Sequence, residues 1–294
     1  MAGPHTLHYI EWGEPGTARV VICAHGYSGN ARDFDYLAAR LAGEARVVCL
    51  DFPGRGDSQW PASPLEYSLP RFASDARALI ENLGAAQVDW VGTSMGGLVG
   101  MILAGQPASP VRRLVLNDVG AYLPMDALTA IARHLEAPES FPSLEAVEKH
   151  LRRTRREWGP IDEAQWPVMA KHHARPLRPG SDRLRLHFDP RIARVMRPIP
   201  FAPGLSFWDS WYRVRCPVLL LRGERSDVLP PDVADTMVDV HPGTKLVVVP
   251  GCGHVPSLMN EEHAAAVRGF LQDGGIATTE RRGDPKPPLP ARAA

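Results

Sequence analysis

The sequence predicts an α/β architecture: a doubly wound, mostly parallel sheet covered by helices on both faces. Three observations predict it. First, short apolar runs recur at 19–24, 46–50, 88–91, 111–116, 217–221 and 245–249. Each is too short for a helix and mostly apolar, with few charged residues, the pattern of a strand buried on both sides. Second, stretches of helical period lie between most of these runs, as βαβ units require. Third, the run at 88–91 passes through Gly92-Thr93-Ser94-Met95-Gly96 straight into an apolar helical pattern. That is Gly-x-Ser-x-Gly on a sharp strand-to-helix turn, and its position between strand and helix is what gives it meaning.

Each element follows in order. Residues 5–12 alternate enough for an edge strand, and 13–16 (GEPG) form a turn. The buried strand 19–24 ends at His25-Gly26-Tyr27-Ser28-Gly29-Asn30. A helix over 32–41 places Phe34, Leu37, Ala38 and Leu41 on one face. The strand 46–50 ends at Asp51-Phe52-Pro53-Gly54-Arg55-Gly56-Asp57-Ser58, and a helix over 69–83 starts after the N-cap candidate Ser68. The strand 111–116 stops at Asn117-Asp118-Val119-Gly120. The strand rhythm then lapses through a stretch with helical segments at 125–135, 143–158 and 163–174 and many prolines, arginines and tryptophans. This is too long for a structureless loop in a compact domain, and it reads as a helical cap without a convincing buried strand. The sheet resumes at 217–221, followed by a helix over 231–240, the strand 245–249 and a helix over 261–271. The expected organisation is a core of residues 1–120 and 213–272, a cap of residues 121–212, and a disordered tail of residues 273–294, rich in Pro, Gly and charge.

Composition narrows the function classes. The 294 residues balance 33 Lys and Arg against 33 Asp and Glu, so no global field favours nucleic acid or a membrane surface. No apolar run approaches the roughly 20 residues that span a bilayer. The N-terminus lacks a basic start and an apolar core, so no signal peptide is expected. The four cysteines have no metal-ligand spacing, and Cys23 and Cys49 sit inside strand-like runs. Buried thiols and a cytoplasmic, reducing setting are expected, with no metal and no cofactor.

The chemistry is expected at the carboxyl ends of the strands. A serine hydroxyl is a weak nucleophile at neutral pH and needs a base and an orienting acid. Ser94 is the candidate nucleophile. His254 follows the last strand behind Gly251-Cys252-Gly253 and is the candidate base. For the acid, Asp227 is preferred, with Asp118 as the alternative and Glu224 third. Asp118 competes because it follows the strand next after the nucleophile turn; a helix cap before Pro230-Pro231 is the other reading of Asp227. Candidate oxyanion donors are the backbone N–H groups of Tyr27 and Met95, the latter at a helix N-terminus.

With these motifs in place, the chain resembles the α/β-hydrolase fold superfamily, in its serine esterase-like branch with a helical cap. The matching pieces are His25-Gly26-Tyr27, the turn 51–58, Gly92-Thr93-Ser94-Met95-Gly96-Gly97, the segment 220–227 and Gly251-Cys252-Gly253-His254. The resemblance implies a cap inserted after the sixth strand, Ser94 as nucleophile, Asp227 as acid, His254 as base, and Tyr27 and Met95 as oxyanion donors. It implies a small-molecule acyl substrate: a carboxylic ester, or alternatively a lactone or a carbon–carbon bond. Epoxide hydrolases and dehalogenases of the same scaffold use an aspartate nucleophile, which the serine at position 94 argues against. Non-catalytic receptors share the scaffold too, because fold alone does not settle function. The cap arginines, from Arg152 onward, read first as a solvated face, and otherwise as the source of one inward arginine for a substrate carboxylate.

Overall fold

The computed structural model describes residues 5–135, 137–195 and 204–272; the tail expected to be disordered, 273–294, lies outside the described residues. Seven strands form one sheet: β1 (Tyr9–Trp12), β2 (Val20–Ala24), β3 (Arg46–Leu50), β4 (Val88–Thr93), β5 (Val111–Asn117), β6 (Val218–Gly223) and β7 (Thr244–Val249). Their spatial order is β1-β3-β2-β4-β5-β6-β7. Only β1 is antiparallel, pairing Tyr9 with Leu50 and Trp12 with Val47. The remaining pairs are parallel. The chain winds from β2 outward in both directions, so the crevice at the strands' carboxyl ends opens beside β2 and β4.

Helices α1 (Asp35–Leu41), α2 (Leu69–Asn82) and α3 (Met95–Ala104) follow β2, β3 and β4. Between β5 and β6 come α4 (Met125–His134), α5 (Leu144–Thr154), α6 (Gln165–His173), α7 (Arg191–Val195) and α8 (Trp208–Trp211). Helix α9 (Pro231–Val240) joins β6 to β7, and α10 (Glu261–Gln272) closes the described chain. Period-two alternation divides the sheet's side chains between two cores. Val21, Cys23, Val47, Cys49, Val91 and Leu219 pack with α1 and α10 on one face. Ile22, Val48, Trp90, Leu114, Leu116 and Leu220 pack with α2, α3 and α9 on the other. Every residue of β2 and β6 is buried, which is why these runs carry no polar alternation.

Two expectations need adjustment. The excursion before the sheet resumes leaves after the fifth strand, not the sixth. The segment 9–12 docks directly on β3 as the edge, and no further strand of the sheet precedes it among the described residues. That excursion also contains two short antiparallel ribbons, Tyr122–Pro124 with Gly204–Ser206 and Ala174–Pro176 with Leu184–Leu186. Strands of three residues carry too little alternation to be read from sequence. All four cysteines are free, and Cys23, Cys49 and Cys252 are buried. Among the described residues no helix is long and apolar enough to cross a membrane.

Candidate active site

Four adjacent strand ends converge in the crevice. Ser94 follows β4 at the N-cap of α3, with φ 50° and ψ −114°. A non-glycine residue in this region is strained, and the surroundings hold it there. Its N–H donates to the Asn117 carbonyl at 2.9 Å. The flanking glycines are a steric necessity: a Cβ on Gly92 would lie 2.3 Å from the Gly96 carbonyl oxygen, and one on Gly96 2.0 Å from that of Ala24. The turn therefore closes only with glycine on both sides.

His254 reaches Ser94 from the loop after β7. The Ser94 hydroxyl donates to Nε2 of His254 at 3.0 Å. Gly251, at φ +68°, supplies the left-handed step in this loop. The loop is also pinned to the segment that follows α5, through Gly253 N–H to the Glu157 carbonyl (2.8 Å) and Ser257 N–H to the Trp158 carbonyl (2.9 Å). Asn117 Nδ2 ties it to the sheet by donating to the Pro256 carbonyl (2.9 Å) and to Thr93 Oγ1 (3.1 Å).

The carboxylate beside His254 is Asp118, not the preferred candidate Asp227. Nδ1–H of His254 donates to Oδ2 of Asp118 at 2.7 Å. The carboxylate is fully buried. It also accepts from the Gly223 N–H at Oδ1 (2.8 Å) and from the Ser226 hydroxyl at Oδ2 (2.7 Å). An acceptor-only partner at Nδ1 fixes the tautomer that leaves Nε2 free to accept from Ser94. Asp227 is exposed, and Glu224 instead accepts from the Gly251 N–H at 2.8 Å. The reason is register. β5 lies between β4 and β6, so the residue after β5 falls inside the triangle of strand ends. In the turn after β6 the inward position belongs to Ser226, and its neighbour Asp227 faces out. The positive φ of Asp118, 58°, is one that aspartate adopts more readily than most residues. The contribution of Ser226 has no motif-level signal.

The Tyr27 and Met95 N–H groups have no hydrogen-bond partner among the described residues, and both residues flank Ser94. The loop carrying Tyr27 is held by side chains the motif reading passed over. Burial pushes the His25 imidazole pKa down to about 4, so the ring is neutral. Its Nδ1–H donates to the Gly26 carbonyl (2.7 Å), and Nε2 accepts from the Phe52 N–H (3.0 Å). Arg55, fully buried and lowered by that burial to about 10, donates from Nε to the Tyr27 carbonyl at 2.9 Å.

Above Ser94 lies a cavity that opens to solvent. Its apolar lining includes Ile131, Leu135 and Leu151 from α4 and the segments near it, and Leu186 and Phe188. One wall is polar. His173 donates to Asp33 at 2.7 Å, and Arg155, stacked 4.2 Å from the Trp158 ring centroid, lies 3.4 Å from the same carboxylate. Burial would raise the Asp33 pKa, but His173 and Arg155 outweigh it and hold the carboxyl well below its usual range. This arrangement presents an alcohol, an imidazole and an oriented carboxylate to a largely apolar pocket with one buried guanidinium in its wall.

Comparison with known proteins agrees with this geometry. Residues 21–269 match the alpha/beta hydrolase family. The 3-hydroxybutyrate-oligomer hydrolase of Cupriavidus necator is 40% identical over 276 residues, which cover 92% of this chain and 94% of that protein. The pimeloyl-[acyl-carrier protein] methyl ester esterase of Neisseria meningitidis is 26% identical, over 89% of this chain and 96% of the relative. The crystal structure of an alpha/beta hydrolase from Novosphingobium aromaticivorans superposes with a TM-score of 0.80 at 32% identity, covering 91% of this chain and 94% of that one. The chain is a hydrolase and belongs to the alpha/beta hydrolase family.

Proposed function

We propose that this protein is a serine esterase that cleaves short oligoesters of a hydroxy acid through an acyl-enzyme. The observation that carries the reading is the unbroken chain from the Ser94 hydroxyl through His254 to Asp118, at 3.0 and 2.7 Å. Ser94 Oγ attacks the ester carbonyl while Nε2 of His254 takes its proton. Asp118 holds the ring and stabilises the imidazolium. The oxyanion accepts from the Tyr27 and Met95 N–H groups. Collapse returns the proton from His254 to the leaving alcohol. A water molecule then gives a proton to His254 and attacks the acyl carbonyl, and the second collapse releases the acid and restores Ser94.

The substrate class draws on the relative whose name gives 3-hydroxybutyrate oligomers as its substrate. An oligomer of that type has an apolar backbone and a carboxylate end. The cavity offers apolar walls and the Arg155 guanidinium. The buried free thiols fit a reducing, cytoplasmic setting. The test is release of hydroxy acid from a linear 3-hydroxybutyrate trimer, alongside hydrolysis of p-nitrophenyl butyrate, by wild type and Ser94→Ala. Both activities should disappear in the variant. Equal rates in the two proteins would remove the mechanism; hydrolysis of the aryl ester without the trimer would remove only the substrate class.

A further inference from the structure

The ribbon of Ala174–Pro176 and Leu184–Leu186 carries two arginines that form no ion pair among the described residues. Arg175 lies directly opposite Arg185 in the antiparallel register. Like charges so placed repel each other. Neither forms an ion pair or a hydrogen bond among the described residues, and the buried Nε of Arg185 has no partner there. Both guanidiniums lie over the Trp60 indole, with their carbons 5.3 and 4.5 Å from the ring centroid. Stacking stabilises a guanidinium but leaves its N–H donors unsatisfied. The two arginines and Trp60, with residues 56–59, line an open cleft of about 570 Å³. The carboxylate at its rim, Asp57, lies 3.4 Å from His187. Burial, and then the neighbouring Arg175 charge, lowers the Arg185 pKa, against a smaller opposing effect of Asp189.

We propose that this cleft binds a small oxyanion, a carboxylate or a phosphate, gripped by Arg175 and Arg185 beside the Trp60 ring. Guanidinium forks match the planar or tetrahedral oxygens of such groups. Binding there removes the repulsion across the ribbon. It also bears on the cavity above Ser94. Leu186, next to Arg185, and Phe188 line that cavity, and the segment between them is tied to the cleft by the Gly56 N–H donating to the His187 carbonyl at 3.0 Å. An anion in the cleft therefore braces one wall of the cavity. The proposal does not rest on the esterase reading, because binding is measured without turnover.

Calorimetric titration of the Ser94→Ala protein with inorganic phosphate, and separately with acetate, at ionic strength matched with sodium chloride, tests it. Saturable binding of at least one is expected, and the tighter of the two identifies the source of the oxyanion. Arg175→Gln and Arg185→Gln should each weaken it about tenfold or more. Arg185→Lys keeps the charge and loses the fork, and should also weaken it about tenfold; it carries the test if the glutamine variants do not fold. No saturable binding of either anion beyond the chloride control, or affinity unchanged in the folded variants, would overturn the proposal.

Discussion

Replacing Asp118 by asparagine separates the two candidate acids by a measurable factor. The amide is isosteric but cannot satisfy both neighbours. If its NH2 takes the Oδ2 position, it points a donor at Nδ1 of His254, now 2.7 Å away. The ring must then accept at Nδ1 and carry its proton on Nε2, facing Ser94, where it no longer serves as a base. If the amide flips, its NH2 meets the Gly223 N–H across 2.8 Å, two donors in a fully buried site. The first orientation removes the working tautomer; the second keeps it, at the cost of that buried clash and without the negative charge that stabilises the imidazolium. The expected loss in kcat is about 10⁴-fold, equal to about 5.4 kcal/mol of transition-state stabilisation. Asp227→Asn, at an exposed position, should change kcat by less than about twofold. Initial rates on p-nitrophenyl butyrate, with circular dichroism to verify folding, make the comparison. A folded Asp118→Asn protein with near wild-type kcat, or a collapse of kcat in Asp227→Asn, would refute the reasoning.

Three other outcomes are expected. Ser226→Ala removes the 2.7 Å hydrogen bond to Oδ2 of Asp118, and kcat should fall roughly tenfold with little change in KM; an unchanged kcat would show that the Gly223 N–H alone orients the carboxylate. Gly96→Ala forces a Cβ to within 2.0 Å of backbone that cannot yield, and should cost about 3 kcal/mol or more in urea unfolding; a neutral result would mean the turn is looser than its geometry. His25 is neutral in the fold, with its pKa depressed to about 4 from 6.5. The unfolded chain therefore takes up the extra proton first, so this contribution to stability is complete above pH 6.5 and is lost as pH falls towards 4, by about 3 kcal/mol. Urea unfolding of wild type and His25→Asn at pH 7 and 4.5 should show a shallower acid loss in the variant; equal losses would exclude His25 as a source of acid sensitivity.

Much of the scaffold was legible in the chain. The short, mostly apolar runs announced β2, β4, β5 and β6, because a strand covered on both faces has little solvent side to signal with polar residues. The glycines at 92 and 96 announced the nucleophile turn, because backbone contact excludes a Cβ there. His254 stood out for its place after the last strand behind two glycines. The acid was less legible. Asp118 and Asp227 both follow strands, and a one-residue offset in the turn after β6 decides whether Asp227 or Ser226 faces inward. No local pattern encodes that offset. The supports of the loop carrying Tyr27, His25 and Arg55, were equally silent, since their role depends on burial and on partners in other segments.

The sequence by itself determined the order of buried strands, the strained serine turn and the presence of a histidine at the final strand end, because each depends on local periodicity or on the absence of a Cβ. Only the tertiary structure decided which carboxylate meets that imidazole and which arginines face each other across the ribbon. Those choices depend on which strands lie side by side and which way each turn points, and both are settled by long-range packing.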